Sequence, residues 1–223
     1  TITGTSHGDG SFVADSTVID QSADAYGMYL NTNESFANDG KVSIAVDSLK
    51  EGAKAIRLQQ GKFTNNASGV VDMTVQAHEK AAYGIDLDGA NGSANNAGTI
   101  TMDVTGGTTE AATAFGIAHR AGSYVGNTGN MTFNLHGLTS AASNAEVGAI
   151  VTTGQGTKFK NSGRIDITGR RTGDIVTSGD VLGIRVADKG VFDNAEAGVI
   201  TIDLGPTGNK QAANYYAVQV LDG

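Results

Sequence analysis

The sequence contains no cysteine and no tryptophan, a single proline, and few charges, with Asp, Glu, Lys and Arg making up 17% of 223 residues. Without cysteine there is neither a disulfide scaffold nor a thiolate zinc ribbon. One proline among 32 glycines excludes collagen, whose Gly-X-Y repeats need abundant proline. Basic residues number 15 against 23 acidic ones, a formal net charge of −8. Nucleic acid is therefore not an expected partner, because its binding rests on cations that neutralise phosphates. No apolar run reaches the roughly 18 residues of a membrane-spanning helix. Thr1 stands without an initiator Met or a signal-peptide pattern, so a processed or excised piece is expected.

What is present is sufficient for a folded unit. An apolar content of 39% can fill one core, and one domain is the starting expectation. The charge is uneven: residues 1–111 carry 14 acids and 6 bases, whereas residues 112–223 carry 9 of each. A single-sign field over the first half reads first as a solubility device.

One motif returns down the chain. It appears as Tyr26-Gly27-Met28, Lys54-Ala55-Ile56, Tyr83-Gly84-Ile85, Phe115-Gly116-Ile117, Gly148-Ala149-Ile150, Leu182-Gly183-Ile184 and Tyr216-Ala217-Val218. The aliphatic anchors are 28, 29, 32, 33, 34 and 34 residues apart. Between anchors lies a second motif: an aromatic or apolar residue, any residue, Asn, a glycine-closed turn, and an alternating run. Phe159-Lys160-Asn161-Ser162-Gly163-Arg164-Ile165-Asp166-Ile167 is a clear copy. Period-2 alternation over five to seven residues marks a half-buried strand. Each repeat thus holds three short strands, and a unit this small buries its apolar face only by stacking on its neighbours. The expected fold is all-β, a parallel β-solenoid of about seven coils of 28–34 residues, over residues 25–223 with the last coil truncated. Residues 1–24 are expected to be an irregular start, a cap or partial coil. A β-propeller is disfavoured by the short repeat and the missing blade signatures, and leucine-rich repeats lack their pattern. Only residues 47–60 would suit a helix, and the repeat register overrules it.

Stacking converts alignment columns into ladders. Val42, Val71, Ile100, Met131, Ile165 and Ile200 are expected to face inward, as are Ile44, Met73, Met102, Phe133, Ile167 and Ile202. Ser43, Asp72, Thr101, Thr132, Asp166 and Thr201 face out. Arg57 beside Asp86 is expected to be an exposed cross-strand pair. Asn38, Asn65, Asn95, Asn127, Asn161 and Asn194 form a column at a bend, where an amide satisfies turn backbone. Tyr26, Tyr83, Phe115 and Tyr216 read as a broken aromatic stack.

Catalytic chemistry is scarce. His119 falls on an inward column with Leu30, Leu58, Leu87 and Val186, which makes it a core or rim histidine. No nucleophile elbow, phosphate loop or metal-spaced His pair occurs, and the Asp column lacks the nonapeptide of calcium solenoids. No catalytic residue, metal or cofactor is expected. Repeat growth is assigned to the connections after the long strand, at 105–113, 136–147, 170–181 and 205–215, and such edge loops carry binding in repeat proteins. Within them Arg170, Arg171 and Asp174 supply the densest charge, and Ser140, Ser143 and Asn144 supply neutral hydrogen bonding; these six are the expected binding residues.

With Ala82-Tyr83-Gly84-Ile85, Asn95-Asn96-Ala97-Gly98-Thr99-Ile100-Thr101 and Asn161-Ser162-Gly163-Arg164-Ile165 in view, the sequence resembles the passenger domain of bacterial type V autotransporters, in the AIDA-like adhesin and self-associating group. The resemblance covers residues 25–223. It implies a right-handed parallel β-helix, exported across the outer membrane and displayed on the cell surface, with a translocator barrel outside this chain. It also implies attachment to a host protein or glycan, or to a second copy of the chain. The alternatives are a polysaccharide-active β-helix enzyme and a passive spacer of a longer passenger.

Overall fold

The computed structural model describes residues 2–6, 11–18, 24–31, 34–48, 51–105, 113–136, 146–169, 180–204 and 214–222. It opens with β1 (Ile2–Ser6) and β2 (Ser11–Val18). Six triplets follow. The first three are β3 (Ala25–Leu30), β4 (Ser35–Asn38) and β5 (Lys41–Ser48); β6 (Ala53–Leu58), β7 (Lys62–Asn65) and β8 (Val70–Ala77); and β9 (Ala82–Leu87), β10 (Ser93–Asn96) and β11 (Thr99–Thr105). The next are β12 (Ala114–His119), β13 (Tyr124–Asn127) and β14 (Asn130–His136); β15 (Val147–Thr153), β16 (Lys158–Asn161) and β17 (Arg164–Thr168); and β18 (Val181–Ala187), β19 (Val191–Asn194) and β20 (Val199–Asp203). β21 (Tyr215–Val220) closes the series.

From β2 onward each strand pairs in parallel with its equivalent one repeat away, and with β1 added at one edge this builds three sheets of eight, six and seven strands. The chain is thus an all-β parallel β-solenoid with three strands per coil. Six triplets stack through the five steps of the six-stranded sheet, so the three-sided solenoid is about five turns long. Seven coils were expected because seven anchors repeat. The seventh, Val218, lies on β21, after which no further described strand follows. β1 runs antiparallel to β2, which itself lies parallel to β5 in the eight-stranded sheet. The described residues of the helix-prone stretch follow the repeat register: β5 continues to Ser48, Ser48 Oγ donates to Glu51 O at 2.7 Å, and β6 begins at Ala53.

The core lies where the three sheets face one another. The ladder from Val42 to Ile200 and the ladder from Ile44 to Ile202 are in register, one residue per coil. Both are buried except at their last rungs, Ile200 and Ile202, which are partly covered. Alternation is the cause, since every second residue of a strand points to the same face. The six-stranded sheet adds Phe36 stacked on Phe63 and Phe159 stacked on Phe192, with centroids 6.1 and 4.8 Å apart. Opposite Phe133 the seven-stranded sheet must be thin. A Cβ on Gly116 would lie 2.3 Å from Phe133 Cδ1 and 2.8 Å from Ala149 O, so glycine there makes room for the phenyl ring.

Candidate binding surfaces on the outer faces

Among the described residues, a dense group of charges lies on the outside of the seven-stranded sheet. Register places Tyr26, Lys54, Tyr83 and Phe115 in one outward column, and Tyr29, Arg57, Asp86 and Ala118 in another. Lys54 Nζ donates to Asp24 Oδ2 at 2.6 Å and lies 3.4 Å from Asp86 Oδ2. Arg120 Nη2 donates to Asp86 Oδ1 at 2.8 Å, and the Gly52 amide donates to Asp24 Oδ1 at 3.0 Å. The ammonium also sits 5.5 and 5.9 Å from the ring centroids of Tyr26 and Tyr83, within reach of a cation–π attraction.

Burial and pairing pull the ionisations in opposite directions. Burial pushes the Asp86 carboxyl above its usual range against the pull of Arg120 and Lys54. At Asp24 burial acts the same way, but the Lys54 hydrogen bond and charge and the Gly52 amide outweigh it and lower the pKa. Burial disfavours the Lys54 charge, yet Asp24 and Asp86 together raise its pKa. Two carboxyl groups tuned apart resemble an acid–base pair. Asp86 nevertheless has no solvent exposure and lies beneath two cations, so a polymer substrate cannot reach its oxygens. The group ties four successive coils together across an open cleft of about 310 Å³. Charges held this way are strongly unfavourable to unpair.

This corrects the expected exposed Arg57–Asp86 pair. The two residues are neighbours in register, but Asp86 is buried against Lys54 and Arg120. Arg57 instead pairs with Asp88 and donates to Tyr26 Oη at 2.9 Å. Tyr83 and Phe115 do stack, with centroids 6.3 Å apart, whereas Lys54 separates Tyr83 from Tyr26.

A second feature interrupts the outer face of the six-stranded sheet. Its outward column runs Thr64, Asn95, Gly126, Lys160, so one rung lacks a side chain. The gap opens a recess of about 240 Å³ lined by Thr64, Asn95, Tyr124, Gly126, Lys160 and Ser162. A Cβ on Gly126 would lie 2.8 Å from Asn95 Oδ1 and 3.1 Å from both Tyr124 Cε1 and the Tyr124 hydroxyl. The Tyr124 side chain therefore reclines along β13 over the glycine, and it remains 37% exposed.

The asparagine column is a continuous side-chain ladder. Nδ2 donates to the next Oδ1 from Asn38 to Asn65, Asn65 to Asn96, Asn96 to Asn127 and Asn127 to Asn161 at 2.8 Å, and from Asn161 to Asn194 at 2.7 Å. Asn96 occupies the rung expected for Asn95. Ala94 takes the inward place that Phe63 holds one coil earlier, so the inward-x-Asn rule selects Asn96 and turns Asn95 outward to the recess.

His119 is a core histidine, as expected, in register with Leu87 and Thr152. It is fully buried, its Nε2 lies 2.6 Å from Thr152 Oγ1, and its ring meets Phe159 edge-on. Burial pulls its pKa from 6.5 down to about 3. The unfolded chain then takes up the proton first, so stability is full above pH 6.5 and falls as pH drops towards 3. Between pH 7.5 and 4.5 this loss is about 2–3 kcal/mol. His119→Leu, which continues the leucine column, is expected to remove that part of the pH dependence; urea unfolding of both proteins at the two pH values checks it, and parallel pH curves would refute it.

Among the described residues no three His, Asp or Glu side chains gather as metal ligands. Ser140, Ser143, Asn144, Arg170, Arg171 and Asp174 lie outside the described residues. No protein-family model matches the chain, nor does any curated protein or solved structure.

Proposed function

We propose that this chain is an adhesion module, a right-handed β-helix of the autotransporter-passenger kind displayed on a bacterial surface, without enzymatic activity. Its partner is a host cell-surface protein or glycan, or a second copy of the chain on a neighbouring cell. The observation that supports this reading most is the in-register stacking of three parallel sheets. It repeats outward side chains every ~4.8 Å along a rod. Such a surface offers many equivalent weak contacts, and tethered weak contacts add through effective concentration. The right hand follows the strong preference of parallel crossover connections. Asp86, a carboxyl whose pKa burial raises towards an acid's role, is shielded from substrate, which weighs against the polysaccharide-cleaving alternative.

The connections 136–147 and 170–181, carrying Ser140, Ser143, Asn144, Arg170, Arg171 and Asp174, are the proposed macromolecular contacts. Beads coated with the protein are expected to attach to epithelial cells and to clump. Replacing either connection with a short Gly-Ser link, with melting unchanged, is expected to reduce attachment or clumping several-fold. Beads that neither attach nor clump would refute the adhesion reading, and full binding by both loop variants would refute the loop assignment alone.

A further inference from the structure

We infer that the recess over Gly126 is a carbohydrate subsite that takes one neutral pyranose ring, an inference that rests on the adhesion reading and names the ligand class for one face of the rod. Three observations carry it. The first is the space. Neighbouring rungs are about 4.8 Å apart, so Asn95 and Lys160 stand on rungs roughly 9.6 Å apart, twice that spacing, either side of Gly126, over which the Tyr124 ring and the Asn95 amide lean, and a recess of about 240 Å³ opens above them. That separation suits the width of a single sugar ring and is narrow for a peptide strand carrying side chains.

The second observation is the floor. Tyr124 lies over the Gly126 backbone, within 3.1 Å of where a Cβ would stand, and is 37% exposed. A ring supported from below on a glycine and open above offers a flat, polarisable face. The C–H face of a pyranose stacks on such a face without giving up any hydroxyl hydrogen bond to water, and the ring's negative quadrupole attracts the polarised C–H groups. Holding two rotatable angles in place beforehand keeps the ordering cost of binding low.

The third observation is the rim. Around the ring stand an amide at Asn95, an ammonium at Lys160, and hydroxyls at Thr64 and Ser162. Together they supply donors and acceptors for the equatorial hydroxyls of a neutral sugar, the pattern of a few convergent polar groups about an apolar patch that marks small-molecule sites. Lys160 and its exposed neighbour Lys158 bring positive charge, of which Lys158 faces Asp193 at 3.6 Å. One amine among neutral groups favours a hydroxyl-rich ligand over a polyanion. A tyrosine that merely fills the space above a glycine would need none of these groups.

The test uses methyl β-galactoside, methyl β-glucoside and methyl α-mannoside as probes, with saturation-transfer NMR on the full chain. At least one is expected to bind with a dissociation constant of about 1–10 mM, with saturation strongest on one C–H face. Tyr124→Ala and Gly126→Ser are both expected to abolish the transfer. The serine Cβ meets only the ends of the Asn95 and Tyr124 side chains, so Gly126→Ser displaces the ring without straining the backbone, and melting of both variants should stay within a few degrees of the parent. No transfer from any of the three sugars to the parent overturns the inference, as does undiminished transfer in both folded variants. If beads still attach to cells while sugar binding is absent, the subsite is lost and the adhesion reading stands; if beads fail to attach as well, both are lost.

Discussion

Replacing Ile167 with aspartate is expected to cost at least about 4 kcal/mol and to leave the chain largely unfolded at 37 °C, whereas Thr168→Asp one residue later should cost less than about 1 kcal/mol. Ile167 is 1% exposed and stands in register between Phe133 and Ile202. A carboxyl there loses its hydration and meets no donor, so it is driven to remain protonated and its folded pKa rises. Protonation sets the sign of the pH dependence. A carboxyl whose folded pKa lies above the unfolded one destabilises most where the unfolded form is ionised, so the penalty relative to the parent should grow from pH 4 to pH 8. Thr168 lies on the opposite face between Asn134 and Asp203, where an added aspartate meets water and one like charge across the ladder. Urea unfolding of both variants decides the matter. Equal losses would mean that the strand is registered one residue away from the arrangement described, because a one-residue slip exchanges the two faces.

That contrast was legible in the sequence because period-2 alternation is read residue by residue. The inward ladders and the anchors Met28, Ile56, Ile85, Ile117, Ile150, Ile184 and Val218 all fall in register. The sequence pattern points to Asn95 where the ladder holds Asn96, because β10 places Ala94 where other coils place phenylalanine or valine, and two adjacent asparagines leave the choice to an alanine that carries little pattern. The charge group was not legible for a different reason. Its members, Asp24, Lys54, Asp86 and Arg120, come one from each of four repeats, and an outward column gives no sign that Asp86 is buried. The Gly126 recess was hidden in the same way: a lone glycine reads as a turn or a bulge until its column shows Asn95 and Lys160 on either side. Binding faces of a solenoid are assembled across repeats, so they emerge only once the register is fixed.

The asparagine ladder yields the second large effect, and its direction follows from the polarity of the chain of amides. From Asn38 to Asn161 each Nδ2 donates to the asparagine of the following coil, and from Asn65 to Asn194 each Oδ1 accepts from the preceding one, so the side-chain dipoles are aligned and reinforce one another. Asn127 uses both ends: its Oδ1 accepts from Asn96 at 2.8 Å, and its Nδ2 donates to Asn161 Oδ1 at 2.8 Å and to Arg164 O at 3.2 Å. Asn127→Asp keeps the shape and the acceptor but replaces the donor with an oxygen aimed at two other oxygens, at a position 1% exposed. Loss of two hydrogen bonds, together with a buried charge or a costly proton uptake, is expected to destabilise by about 4 kcal/mol. Asn194 accepts from Asn161 at 2.7 Å, but its own Nδ2 reaches only Gly198 O, at 3.0 Å on an exposed rung. Asn194→Asp therefore preserves the one bond that joins it to the ladder and is expected to cost less than about 1 kcal/mol. Thermal and urea unfolding of the two variants should differ by several kcal/mol for an identical chemical change. A small and equal loss at both positions would show that the amides satisfy their own turns independently and that the ladder does not bind the coils together.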